Sequence, residues 1–101
     1  MPDEVIRRPL QVVNPLGMHA RPAALLVKLA NKYQSEIELI KGDLKVDAKS
    51  VIHLMTLAAE QGSTLLLEAR GSDAQSAADA IEQLFKEGLG DLDAQPNTPA
   101  S

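Results

Sequence analysis

LQVVNPLGMHARPAALLVKLANKY, residues 10–33, changes character twice along its length. LQVVN, residues 10–14, predicts a strand. A turn follows over 14–18, because Asn14-Pro15 favours turn initiation and Gly17 accepts backbone angles closed to other residues. A helix comes next. Pro22 suits its first turn, where a missing N–H costs nothing, and Leu26, Leu29, Ala30 and Tyr33 recur at helical spacing to give it a buried face. Upstream, Pro9 belongs at the start of the strand or on a sheet edge, since proline cannot donate to a central ladder.

The rest of the chain extends this strand–turn–helix pattern. EIELI (36–40) and LKVDA (44–48) alternate polar and apolar around a Lys41-Gly42-Asp43 turn and predict an antiparallel hairpin. Ser50 is an N-cap for a short helix over 51–60, with Val51, Leu54, Met55 and Ala58 on one stripe and Gly62 as its stop. TLLLEA (64–69) carries an unbroken leucine triplet and predicts a covered central strand. Ser72 and Gln75 form a capping-box pattern ahead of a helix over 73–87, with Ala74, Ala77, Ala78, Ile81, Leu84 and Phe85 facing inward. The order is βαββαβα. The expected class is α+β: a two-layer open-faced sandwich, with a four-stranded antiparallel sheet carrying three helices on one face. Residues 1–88 are expected to form one domain, and 89–101 a polar, disordered tail with little to bury.

Composition narrows the function classes. Only Tyr33 and Phe85 are aromatic, so the core must be aliphatic, and there is no cysteine to build a disulfide framework or a thiolate metal site. The opening MPDEVIRR carries acids and no apolar run, unlike a signal peptide, and nothing approaches a membrane span. A free-standing, soluble, cytoplasmic protein is expected. The net charge of −4 divides into +1 over residues 1–60 and −5 over 61–101. A basic surface for an acidic partner therefore belongs to the first part. The scarcity of aromatics argues against nucleic-acid binding.

GMHARP, residues 17–22, carries the chemistry. His19 is predicted at the mouth of the first helix, at or next to the N-cap. Free backbone N–H groups and the positive end of the helix dipole make that mouth an anion site. A neutral imidazole there has a lone pair and can act as a nucleophile. Arg21 adds a fixed positive charge suited to phosphate oxygens. Gly17 leaves room for a partner, and Met18, apolar in a turn, is expected to serve docking rather than the core. From the residues alone, His19 is either an ordinary surface polar group or a phosphoryl acceptor. No companion ligand sits at metal spacing, and neither a metal nor a cofactor is expected.

Gly17-Met18-His19-Ala20-Arg21-Pro22-Ala23-Ala24 resembles the active-site signature of the histidine-containing phosphocarrier (HPr) family. Lys49-Ser50-Val51-Ile52-His53-Leu54-Met55-Thr56-Leu57-Ala58 resembles its serine-site segment, at the family's spacing. The resemblance runs over about residues 5–88 and shares the βαββαβα order. It implies a phosphocarrier of the phosphoenolpyruvate-dependent phosphotransferase system, a carrier and not an enzyme. His19 would take a phosphoryl group from enzyme I, on Nδ1 in the family, and pass it to an enzyme II A-type domain. Arg21 would steady the phosphate.

The same resemblance makes Ser50 a regulatory phosphorylation site for an HPr kinase/phosphorylase. It also makes Met18, Ile52, Met55 and Lys49 candidate docking residues, with His53 a surface neighbour. Asn14-Pro15-Leu16-Gly17-Met18 and the ending Leu84-Phe85-Lys86-Glu87-Gly88-Leu89 look closer to the nitrogen-related branch, whereas Lys49-Ser50 looks closer to the sugar branch. The alternative is a regulatory binding module whose Ser50-phosphorylated form controls a transcription factor or metabolic enzyme. A relay partner must dissociate quickly, so a small interface and a monomer are expected.

Overall fold

The computed structural model describes residues 5–91. Its elements are β1 (Val5–Gln11), α1 (Ala20–Ala30), β2 (Glu36–Lys41), β3 (Leu44–Asp47), α2 (Val51–Met55), β4 (Thr64–Arg70) and α3 (Ala74–Lys86). The strands form one four-stranded sheet in the order β1-β4-β2-β3, and every neighbouring pair is antiparallel. The expected α+β class and element order hold. The leucine-rich strand β4 is indeed internal, flanked by β1 and β2.

Strand alternation divides the sheet into two faces. Leu65, Leu67 and Ala69 of β4, Ile37 and Leu39 of β2, Leu10 of β1 and Val46 of β3 are buried. They meet Ala23, Leu26 and Ala30 of α1, Leu54 of α2, and Ala74, Ala77, Ala78, Ile81 and Phe85 of α3 in one cluster. Alanines on α1 and α3 let the helices approach closely, and Phe85 is the one large ring in this aliphatic interior. Burying a leucine or isoleucine of this kind contributes about 1.5–3 kcal/mol. The opposite face stays open and is crossed by ion pairs. Arg7 meets Glu68 at 2.8 Å, and Lys45 reaches Glu68 at 3.4 Å and Glu38 at 3.6 Å. Among the described residues, no helix is long and apolar enough to cross a membrane.

Three boundaries depart from the sequence expectations. First, β1 spans Val5–Gln11 rather than 10–14. Its middle is hidden behind charge: Arg8 lies on the helix side of this edge strand but pairs with Asp79 at 2.9 Å and Glu82 at 2.8 Å on α3. Pro9, opposite Leu66, is tolerated because β1 has only one neighbour.

Second, α2 closes at Met55 instead of continuing to residue 60. Thr56 Oγ1 donates to the His53 carbonyl at 2.6 Å, and Ala58 turns left-handed at φ 49°. Alanine carries no local signal for that stop, unlike the glycine expected to make it. Third, the Ser72–Gln75 capping box does not form. Asp73 occupies the N-cap of α3 and makes no side-chain bond to its own helix. Its carboxylate instead accepts the Gln34 and Ser35 backbone N–H groups, both at 2.9 Å, and the Ser35 hydroxyl, tying the loop after α1 to the start of α3.

The end of α3 matters most for the site. Gly88 N–H donates to the Phe85 carbonyl at 3.0 Å and Leu89 N–H to the Leu84 carbonyl at 2.9 Å, the paired bonds of a Schellman ending. Gly88, Leu89 and Gly90 then take three successive left-handed conformations, at φ 82°, 54° and 83°. For Leu89 that costs about 1–2 kcal/mol, offset by complete burial of its side chain. A Cβ on Gly90 would lie 2.4 Å from Leu25 Cδ1 of α1, so the curl packs directly against that side chain, and φ 83° favours glycine here. Packing therefore continues past the expected domain end at 88: Leu89 and Asp91, assigned by sequence to the tail, are both buried. The remainder of that tail, 92–101, lies outside the described residues.

Candidate functional site

His19 is the N-cap of α1, as expected, with extended backbone at φ −126° and ψ −170°. Its carbonyl accepts the first helical bond from Ala23 N–H at 3.0 Å, and its side chain makes no capping bond. Backbone N–H groups of a first turn lack helical partners, and Pro22 removes one of them outright.

The loop before His19 is held from below. Gly17 sits at φ 70°, and a Cβ there would lie 2.4 Å from the Ala59 carbonyl oxygen. That oxygen accepts Met18 N–H at 2.8 Å. The Met18 side chain is 7% exposed and joins the core, so Met18 is not the exposed docking residue expected from sequence.

Three side chains converge on Asp91. Asn14 Nδ2 donates to Asp91 Oδ2 at 2.7 Å, and His19 Nε2 lies 2.9 Å from the same oxygen. Arg21 Nη2 donates to Oδ1 at 3.4 Å. Asn14 spends its second amide hydrogen on the Gly17 carbonyl at 2.8 Å. Its Oδ1 is buried and has no partner among the described residues. Flipping the amide would set that oxygen against a carboxylate and a carbonyl, so the orphan is the cost of supplying two donors, about 1–3 kcal/mol.

Burial by itself pushes the Asp91 carboxyl up, but the Asn14 and His19 hydrogen bonds and the nearby Arg21 charge hold it below its ordinary value. An ionised carboxylate only accepts, so the proton in its bond to His19 sits on Nε2. Among the described residues, Nδ1 has no hydrogen-bond partner. The His19 side chain is 36% exposed and that of Arg21 61%, so an unengaged ring nitrogen and a loosely held cation face solvent at one helix mouth.

Sequence reasoning missed both Asn14 and Asp91. Asn14 reads locally as a turn former. Asp91 stands 72 residues from His19, past a glycine-flanked helix end that resembles a tail.

The second motif stands apart from this carboxylate network. Ser50 caps α2, its Oγ accepting His53 N–H at 3.3 Å, as the sequence predicted. Of the expected stripe only Leu54 is buried within the helix, because α2 is so short. Ile52 is 77% and Met55 45% exposed, and His53 is also exposed. Lys49 is not a free rim charge: its ammonium donates to the Tyr33 carbonyl at 2.7 Å beyond the end of α1.

Comparison with known proteins places the chain in a family. Residues 6–87 match the family model PTS-HPr, described as the PTS HPr component phosphorylation site. Phosphocarrier protein HPr of Treponema pallidum is 42% identical over 82 residues, covering 81% of this chain and 93% of that protein. Phosphocarrier protein NPr of Proteus mirabilis is 43% identical over 83 residues, covering 81% and 92%. The solved HPr from Thermoanaerobacter tengcongensis superposes with a TM-score of 0.81 at 38% identity, over 84% of this chain and 96% of that one, and an HPr dimer from the same organism has also been solved. HPr proteins of the phosphotransferase system are carriers rather than catalysts, and their partners are enzymes of that system. The chain belongs to the HPr phosphocarrier family.

Proposed function

We propose that His19 is the phosphoryl-accepting residue of a phosphoenolpyruvate-dependent phosphotransferase relay, loaded by enzyme I and discharged to an enzyme II A-type domain. The observation that carries this is the half-open mouth of α1, where His19 presents an unengaged Nδ1 beside Arg21. A relay must hold the phosphoryl group without trapping it. An exposed helix mouth stabilises the dianion through its dipole and free N–H groups, yet leaves the phosphorus open to the next nucleophile. Arg21 supports the group as it arrives. Its 3.4 Å contact to Asp91 is longer than a strong charge-assisted bond, so the guanidinium can turn outward at little cost.

Ile52 and Met55 supply an apolar docking surface, small enough for rapid exchange between partners. The protein acts as a cytoplasmic monomer with a single phosphocarrier domain. Ser50 is its regulatory site. A phosphate on Oγ keeps an acceptor at the N-terminus of α2 and places two negative charges beside the docking residues.

The test is phosphoenolpyruvate, magnesium and enzyme I with wild-type protein, His19→Ala and Ser50→Ala, read by intact mass. One acid-labile phosphoryl group on the wild type and Ser50→Ala, absent from His19→Ala, is the expected result. Equal labelling of His19→Ala removes the reading. Gel filtration over a range of concentrations checks the monomer, and a stable dimer contradicts it.

A further inference from the structure

We propose that Asp91 is a positioning residue for phosphoryl transfer, choosing which nitrogen of His19 reacts and balancing the charge that transfer creates. This rests on His19 being the acceptor. Residue 91 lies outside the stretch that matches the family model, so the assignment comes from this chain's own packing.

A neutral imidazole carries its proton on one nitrogen and its lone pair on the other, and the hydrogen bond at the first decides the nature of the second. Here Asp91 Oδ2 accepts from Nε2 at 2.9 Å, which leaves the lone pair on Nδ1. The carboxylate is itself built in. It is 7% exposed, held at the same oxygen by Asn14 and delivered by the left-handed curl of Gly88, Leu89 and Gly90. Among the described residues Asn14 Oδ1 has no partner, while both amide hydrogens are aimed, at Gly17 and at Asp91. The arrangement orients a carboxylate against one edge of one ring.

In the transfer step the Nδ1 lone pair attacks phosphorus. The N–P bond on the donor's phosphohistidine breaks and its electron pair returns to the donor nitrogen. No proton moves. The His19 ring, now bonded through both nitrogens with Nε2–H retained, bears a positive charge, and that charge faces the Asp91 carboxylate. Discharge to the acceptor is the reverse. Asp91 therefore acts on the ring alone, while Arg21, leaving Oδ1, turns to the phosphoryl oxygens.

The test uses ¹⁵N-labelled full-length protein and long-range proton–nitrogen correlation of the His19 ring, with enzyme I transfer rates measured in parallel. In the wild type, Nε2 is protonated and Nδ1 bears the lone pair. Asp91→Ala shifts the ring toward a mixture of tautomers and slows transfer about tenfold, the low end of what losing a carboxylate partner does to a metal-ligating histidine. Asp91→Asn, which keeps an accepting oxygen, restores the wild-type tautomer and only part of the rate. A wild-type ring protonated on Nδ1, or ring signals and rates unchanged in Asp91→Ala, overturns the proposal. The ring signals need no phosphoryl donor, so failure of the wild type to be phosphorylated counts against His19 as acceptor and leaves this test standing.

Discussion

Asp91 Oδ2 lies 2.9 Å from Nε2 of His19, although 72 residues separate them. The contact depends on the turn that ends α3. Three consecutive left-handed residues bring the chain back to the mouth of α1, and the middle one is a leucine.

Leu89 sets the stability of that turn. Leu89→Ala removes a fully buried side chain without relieving the left-handed backbone, and should cost about 2–3 kcal/mol in urea unfolding. Leu89→Gly loses the same packing but sheds the backbone strain, so it should be no less stable than Leu89→Ala. A glycine variant clearly weaker than the alanine variant would show that φ 54° costs nothing here.

Asn14 is the second support. Asn14→Asp replaces a donor to Asp91 with another carboxylate in a buried position. We expect a loss of about 3 kcal/mol or more at neutral pH, partly regained on acidification as one of the two carboxyls protonates. Denaturation at two pH values checks this, and a pH-independent loss contradicts it.

Asp73 contributes to the acid limb of stability. The Ser35 hydroxyl bond, followed by the backbone N–H bonds, lowers its carboxyl below the ordinary value. A depressed folded-state pKa means that the unfolded chain binds the proton more readily. The stabilisation is present above the unfolded value near pH 4 and disappears as pH falls through the lower folded value. The stability gap between wild type and Asp73→Asn should therefore narrow as the pH falls from neutral through about 4 and below. A constant gap sinks the assignment.

Ile52 separates docking from folding. At 77% exposure, Ile52→Glu should change stability by no more than about 0.5 kcal/mol. It should raise the KM of enzyme I for this protein while leaving the His19 ring signals untouched. An unchanged KM would move the docking surface elsewhere.

Ser50→Ala tests the cap alone. Losing the 3.3 Å bond to His53 N–H should cost about 0.5–1 kcal/mol by thermal unfolding, with phosphoryl transfer to His19 intact. A cost above about 2 kcal/mol would mean that Ser50 does more than cap a five-residue helix.

Local chemistry made much of this legible. The leucine triplet of β4, the helical spacing after Pro22 and the Gly42 hairpin each signal their own element, and together they give the order and the sheet. His19 at a helix mouth follows from the turn and the proline alone. The misreadings arise where a distant partner overrides the local signal. Arg8 hides the inner face of β1 because its neutralising acids are on α3. Met18 looks free for docking in a turn, yet its side chain joins the core assembled from distant elements. Asp91 looks like tail because two glycines precede it within three residues, and nothing near it in sequence indicates that the chain turns back.

The central claim is most directly tested by phosphorus–nitrogen coupling in ¹⁵N-labelled protein after loading by enzyme I. Coupling of one phosphorus to His19 Nδ1, with Nε2 still protonated, is the result predicted. Coupling to His19 Nε2, or to either nitrogen of His53, would contradict it.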